Sequence, residues 1–128
     1  MYKSIKNIEN EKIAKKIVDF LKEHECWQDI IIYFNNKAWS TFKNWKKEQG
    51  KEVMKEVYEY QDKNPRDFFE YVNSEHRLSM SFEGPFYYIM NGYMGQHSYK
   101  IQDEFQNLFD EFGLYCELGD AWNLSLYK

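Results

Sequence analysis

The sequence predicts an α+β fold: a mainly antiparallel sheet of about five to six strands, with about four helices packed on one face as a single pair of layers. Three observations lead there. Apolar side chains recur at helical spacing over 9–24 and again over 98–113. Short alternating runs come in pairs joined by turn residues, at Asn35-Asn36 and at Gly119-Asp120. These two patterns follow one another in mixed order along 128 residues, a length that suits one domain spanning 1–128.

Taken in chain order, Ile13, Ile17, Phe20 and Leu21 fall at i, i+4, i+7 and i+8 and predict a helix from Glu9 to His24, with Asn7 or Asn10 as its N-cap. The β-branched run Ile30-Ile31-Ile32-Tyr33-Phe34 reads as a strand. Asn35-Asn36 tolerates positive φ and folds it back into a return strand from Ala38 to Phe42, reaching towards Trp45. Over 52–61, Val53, Met54, Val57 and Tyr58 suit a helix, while their β propensity suits a strand, which is the preferred reading. Asn64-Pro65 places a capping side chain before a proline at a first helical position, so Phe68, Phe69 and Val72 are expected to form the buried side of a short helix ending near Asn73.

Leu78, Met80 and Phe82 alternate with serines as a half-buried strand does, and Gly84-Pro85 ends the run. Phe86, Ile89, Met90 and Tyr93 then recur at i, i+3, i+4 and i+7, predicting a short helix begun by Pro85 and stopped at Asn91-Gly92, with a strand over 86–90 as the alternative. Ile101, Phe105, Leu108, Phe109 and Phe112 form the stripe of the longest helix, capped by Ser98 and ended by Gly113. A last hairpin sets Leu114, Cys116 and Leu118 against Trp122, Leu124 and Leu126.

Of the 55 hydrophobic residues, 25 are Phe, Tyr or Trp, so the core must be built largely from rings. Eleven Tyr and four Trp exceed what one small core readily hides, and some rings are expected at the surface. The net charge is −4 but is unevenly placed: residues 1–64 carry +2 and residues 65–128 carry −6. Such asymmetry steers partners without dictating the fold. Fifteen Lys stand against only Arg66 and Arg77, so forked guanidinium donors are scarce. There is no apolar run of membrane-spanning length, and Met1 to Lys6 lacks the apolar stretch of a secretory signal, which makes the cytoplasm the expected location. Cys26 and Cys116 are expected as free thiols there.

The six glycines never form a phosphate-cradling pattern, which excludes nucleotide binding by those motifs. Two Cys and three His, of which only His24 and Cys26 lie close in sequence, fall short of a structural metal site, so no metal and no cofactor are expected. Cys116 lies on an apolar alternation and reads as a small hydrophobe rather than a nucleophile. An enzyme reading rests on a pocket around His76, Glu83 and His97. It is weakened by the nearby carboxylates: Glu75 and Glu83 stand about 26 Å apart on a continuous strand and cannot share one substrate bond. A nucleic-acid reading rests on Lys43, Trp45, Lys46, Lys47 and Lys51, the only basic patch with aromatic neighbours, within residues 42–51. Glu48, Glu52 and the acidic balance of the chain oppose it.

The leading expectation is a small acidic, non-enzymatic protein-binding domain, an accessory or inhibitory protein docking on a basic, nucleic-acid-handling partner. Asp103, Glu104, Asp110 and Glu111 of the last helix, with Glu117 and Asp120 of the terminal hairpin, would supply the negative surface, and exposed Tyr or Trp the contact. A homo-oligomer stays open, and a membrane partner is not expected.

Overall fold

The alternating segments of the chain become strands that all pair antiparallel. These are β1 (Ile30–Phe34), β2 (Lys37–Ser40), β3 (Tyr58–Gln61), β4 (Leu78–Phe82), β5 (Tyr115–Leu118) and β6 (Asn123–Tyr127). They form one six-stranded sheet in the order β3-β2-β1-β4-β6-β5. The computed structural model describes residues 5–42, 57–70, 72 and 75–128. Asn35 and Asn36 carry φ of 52° and 61°, the paired left-handed turn that joins two twisted strands tightly.

Period-two alternation gives this sheet two unlike faces. Ile30, Ile32 and Phe34 of β1, Leu78, Met80 and Phe82 of β4, and Leu124 and Leu126 of β6 form one face. There they pack with α1 (Ile5–Glu23), α2 (Pro85–Met90) and α3 (Gln96–Asp110) in a single core. Rings carry the packing from layer to layer, as the composition requires. Phe82 meets Phe86 at 5.4 Å, Phe86 meets Phe105 at 5.0 Å, and Phe105 meets both Phe109 at 5.0 Å and Phe20 at 5.6 Å. The first three of these pairs are edge-to-face and Phe20 is tilted against Phe105; edge-to-face pairs contribute about 0.5–1.5 kcal/mol each beyond their buried area. On the other face Tyr33, Ala38 and Phe69 make a second, smaller cluster with Ile31, Val72 and Trp122 against it.

Three α-helices occur among the described residues, not four. Of the short helix expected to start at Pro65 and end near Asn73, the described residues form a single 3-10 turn, Pro65–Asp67, capped by Asn64, whose side-chain oxygen accepts from the Arg66 amide at 2.9 Å. Contacts remote in sequence, rather than the local pattern, decide where these two rings go. Phe69 instead covers the second face of the sheet, edge-on to Tyr33 at 5.3 Å and to Trp122 at 5.4 Å, while Phe68 stays exposed.

Other boundaries shift for physical reasons. Asn7 and Asn10 lie inside α1 rather than capping it, because Asn10 is drawn into tertiary hydrogen bonds with Asn35 and Arg77. Gly95, not Ser98, precedes α3, and the buried Ser98 hydroxyl accepts from the Met94 amide at 2.9 Å. Tyr93 leaves the stripe of α2 because the helix ends at Met90 and Gly92 turns the chain with φ of 77°. Trp122 sits in the turn before β6, out of the alternation, and so reaches Phe69 on the second face. The strand preferred for 52–61 is present as β3, and residues 51–56 lie outside the described residues. Both cysteines are free thiols. Among the described residues no helix is long and apolar enough to cross a membrane.

Candidate functional site

Among the described residues, the largest concentration of exposed rings stands where α2 hands over to α3. Pro85 fixes the start of α2, and Gly92 turns the chain out of it. Tyr88, Tyr93, Met94 and Tyr99 are thereby left 53%, 66%, 55% and 59% exposed. The rings are contiguous. Tyr87 stacks on Tyr93 at 6.2 Å, Tyr88 meets Tyr87 at 5.6 Å and Tyr93 at 6.0 Å, and the Tyr99 phenol lies over Gly92, 3.6 Å from where a Cβ would stand.

The backbone beneath these rings is pinned. The Gln102 side-chain amide donates to the Ile89 carbonyl at 2.8 Å, and the Asn91 amide donates at 2.8 Å to both the Tyr87 and the Ala121 carbonyls. A backbone held this way has little conformational freedom left to lose. Asp103 follows Tyr99 by one helical turn and is exposed, with exposed His97 and Lys100 nearby in sequence.

The six acidic residues expected to make one surface are dispersed. Glu104 lies 3.6 Å from His24 and Glu111 lies 3.0 Å from Lys16, so both close the seam between α3 and α1. Asp110 accepts from Gln106 at 3.3 Å, and Asp120 accepts from Asn123 at 3.3 Å within the β5–β6 turn. Glu117 lies on the sheet face away from the helices, beside an open hollow of about 750 Å³ that Glu75, Arg77, Tyr115 and Tyr127 also border. Only Asp103 adjoins the tyrosines.

The enzyme constellation is not brought together. His76 precedes β4 and Glu83 follows it, about 23 Å apart at the rise of a strand. His97 opens α3, and that helix must run its length before delivering the chain to β5, whose Cys116 pairs with Leu126 opposite Leu78 at the His76 end. His76 has its own role. Its Nδ1 lies 3.1 Å from the Ser79 hydroxyl, which lies 2.6 Å from the Ser125 hydroxyl, and this chain ties β4 to β6 on the second face. Burial, and then the Arg66 guanidinium, hold the His76 imidazole below its ordinary range, which keeps it neutral. Ser79 is fully buried, out of reach of a substrate.

Thiol chemistry is suppressed as well: burial, helped by Asp110, pushes Cys116 up to about 12, and burial, helped by Glu25, pushes Cys26 up to about 11. Lys43, Trp45, Lys46, Lys47 and Lys51 lie outside the described residues. Among the described residues no three His, Cys, Asp or Glu side chains gather to hold a metal.

The sequence announced that rings would be exposed without saying which ones. The adjacent pairs Tyr87-Tyr88 and Tyr93-Met94, set either side of a glycine, were the available signal, because in a short helix stopped by a glycine few of four large neighbours find a place on the buried face. The fold and this ring cluster describe an α+β domain with a rigid aromatic surface. No family model, curated protein or solved structure matches the chain.

Proposed function

We propose that this protein is a small non-enzymatic recognition domain, an accessory or inhibitory protein of the cytoplasm, that docks on a basic, nucleic-acid-handling protein through Tyr87, Tyr88, Tyr93, Met94 and Tyr99. The observation that carries this reading is the contiguous exposure of those side chains on a pinned backbone. Tyrosine and methionine are favoured at the centres of protein interfaces, and tyrosine loses few rotamers on contact. Charge selects the partner. The half of the chain that carries the patch has a net −6, which attracts a cationic surface from a distance. At contact, the ring faces of tyrosines attract Lys and Arg side chains.

The test compares immobilised wild type with the double variant Tyr88→Ser and Tyr93→Ser, whose circular dichroism and melting should match. A basic protein retained by the wild type, released by salt, and held about tenfold more weakly by the variant supports the proposal. Equal retention by both, or retention indifferent to salt, overturns it.

A further inference from the structure

Beneath the exposed tyrosines lies the one Asn-Gly pair of the sequence, Asn91-Gly92. The pair is chemically labile by type. An asparagine side-chain carbon stands within ring-closing reach of the next backbone nitrogen, and a glycine there puts no Cβ in the way. Attack of the Gly92 nitrogen on Asn91 Cγ forms a cyclic imide. The new N–Cγ bond replaces the Cγ–Nδ2 bond, and the Gly92 amide proton leaves with the side-chain amide as ammonia. Water then opens the ring at Cγ, which gives aspartate, or at the Asn91 backbone carbonyl carbon, which passes the chain through Cβ as isoaspartate. The reaction consumes water alone.

The fold holds each reacting group off this path. Asn91 ends α2 with φ of −100° and ψ of 9°, so the Gly92 nitrogen is turned away from the Asn91 side chain, and closure requires ψ to rotate by more than a right angle. The Gly92 amide donates to the Ile89 carbonyl at 3.1 Å, an acceptor that the Gln102 side chain shares at 2.8 Å. The Asn91 side-chain amide, which is the leaving group, donates at 2.8 Å to both the Tyr87 and the Ala121 carbonyls. Little buried surface backs these restraints. α2 is six residues long and buries Phe86 and Ile89, while Tyr88, Tyr93, Met94 and Tyr99 around it stand more than half exposed. Segments with few buried contacts open locally at low free energy while the rest of a fold stays intact.

Conversion would turn the clamp from donor to acceptor. A carboxylate only accepts hydrogen bonds, so at position 91 it would face the Tyr87 and Ala121 carbonyl oxygens across the 2.8 Å that the amide bridges. Acceptors set against one another repel, and the link from α2 to the turn before β6 is lost. Isoaspartate also lengthens the backbone by one carbon just ahead of Tyr93. That residue donates its amide to the Tyr88 carbonyl at 2.9 Å, stacks its ring on Tyr87 at 6.2 Å and meets Tyr88 at 6.0 Å, so its whole seating depends on the unmodified turn. Ammonia escapes and water is in excess, which makes the change permanent.

We propose that Asn91-Gly92 is a self-modification site gated by the α2–α3 shoulder: local opening lets the imide close, and the carboxylate that results dismantles the tyrosine surface. The chemistry is independent of any docking partner. Wild type is held at mildly alkaline pH, folded and in urea, and the tryptic peptide 78–100, in which Asn91 is the one asparagine, is followed by mass spectrometry. Gln102→Ala removes the tether from α3 to the end of α2, and Gln102→Asn, which shortens it, takes its place if alanine unfolds the chain. Conversion at least about tenfold slower folded than in urea, raised about fivefold in the folded Gln102 variant and unchanged by it in urea, supports the proposal. Asn91→Asp, which stands for one product, should move the ring resonances of Tyr87 and Tyr93 and leave those of Tyr33 in place. Equal rates folded and unfolded, no conversion in urea, a folded Gln102 variant as slow as wild type, or an Asn91→Asp spectrum in which Tyr87 and Tyr93 stay put or Tyr33 moves with them, would each overturn it.

Discussion

Individual residues here are chosen by what approaches them. Gly84 follows β4, and a Cβ on it would stand 2.8 Å from the Gln28 carbonyl oxygen and 3.3 Å from Asp29 Cβ, where the Glu83 amide already donates to the Asp29 carbonyl at 3.2 Å. Gly84→Ala must therefore push backbone apart, and chemical denaturation should show a loss of about 1–3 kcal/mol. His76 sets a pH dependence. Its folded-state imidazole titrates below its unfolded value, so its contribution is complete above about pH 6.5 and is lost as pH falls through that value towards the folded one. Wild type should lose stability as pH falls below about 6.5, and His76→Gln should lose less over the same fall in urea titrations at each pH. Neither role is visible in the letters alone, because each depends on a neighbour remote in sequence. The same holds for Asn10, whose type suggested a cap and whose partners lie 25 and 67 positions away.

At the scale of elements, what is local was legible. The alternation of β4, the paired asparagines between β1 and β2, and the glycine stop after α3 at Gly113, φ 68°, are all decided within a few residues. The segment after Pro65 was not legible, since its cap and proline announce a helix whereas Phe69 is claimed by Tyr33 and Trp122 on the sheet. Edge strand β5 shows another device beyond sequence patterning. The Gln106 side chain donates to the Leu114 carbonyl and accepts from the Cys116 amide, each at 3.1 Å, covering backbone groups that an open edge would offer to another chain. Gln106→Ala should cost about 1–2 kcal/mol. It should also introduce association that rises with concentration in sedimentation experiments, while the wild type, compared at equal concentration, associates less.

Across the whole molecule, composition set the theme and the fold chose the place. A core built from rings leaves tyrosines over, and the turn at Gly92 places three of the four exposed tyrosines among the described residues on the α2–α3 shoulder, Tyr115 on β5 being the fourth. The acidic helix was harder to read, because nothing in its own sequence says which flank α1 will cover. Lys16 and His24 engage Glu111 and Glu104 at the α1 flank, although both side chains stay partly at the surface. In the proposed docking, long-range attraction would survive this pairing, since it depends on summed charge, and the rings would supply the contact. Substituting Glu104 and Glu111 with Gln should therefore weaken packing of α3 on α1, as read by melting, and should also lower retention on the same bait, because it changes the net charge from −4 to about −2.

The most direct measurement is relaxation of tyrosine ring protons by a soluble paramagnetic probe, with and without the captured partner. Tyr88, Tyr93 and Tyr99 should relax strongly in the free protein, Tyr33 should barely respond, and the partner should shield the first three. Protection of those three rings equal to that of Tyr33 in the free protein, or no change when the partner is added, would contradict the reading of this shoulder as a docking surface.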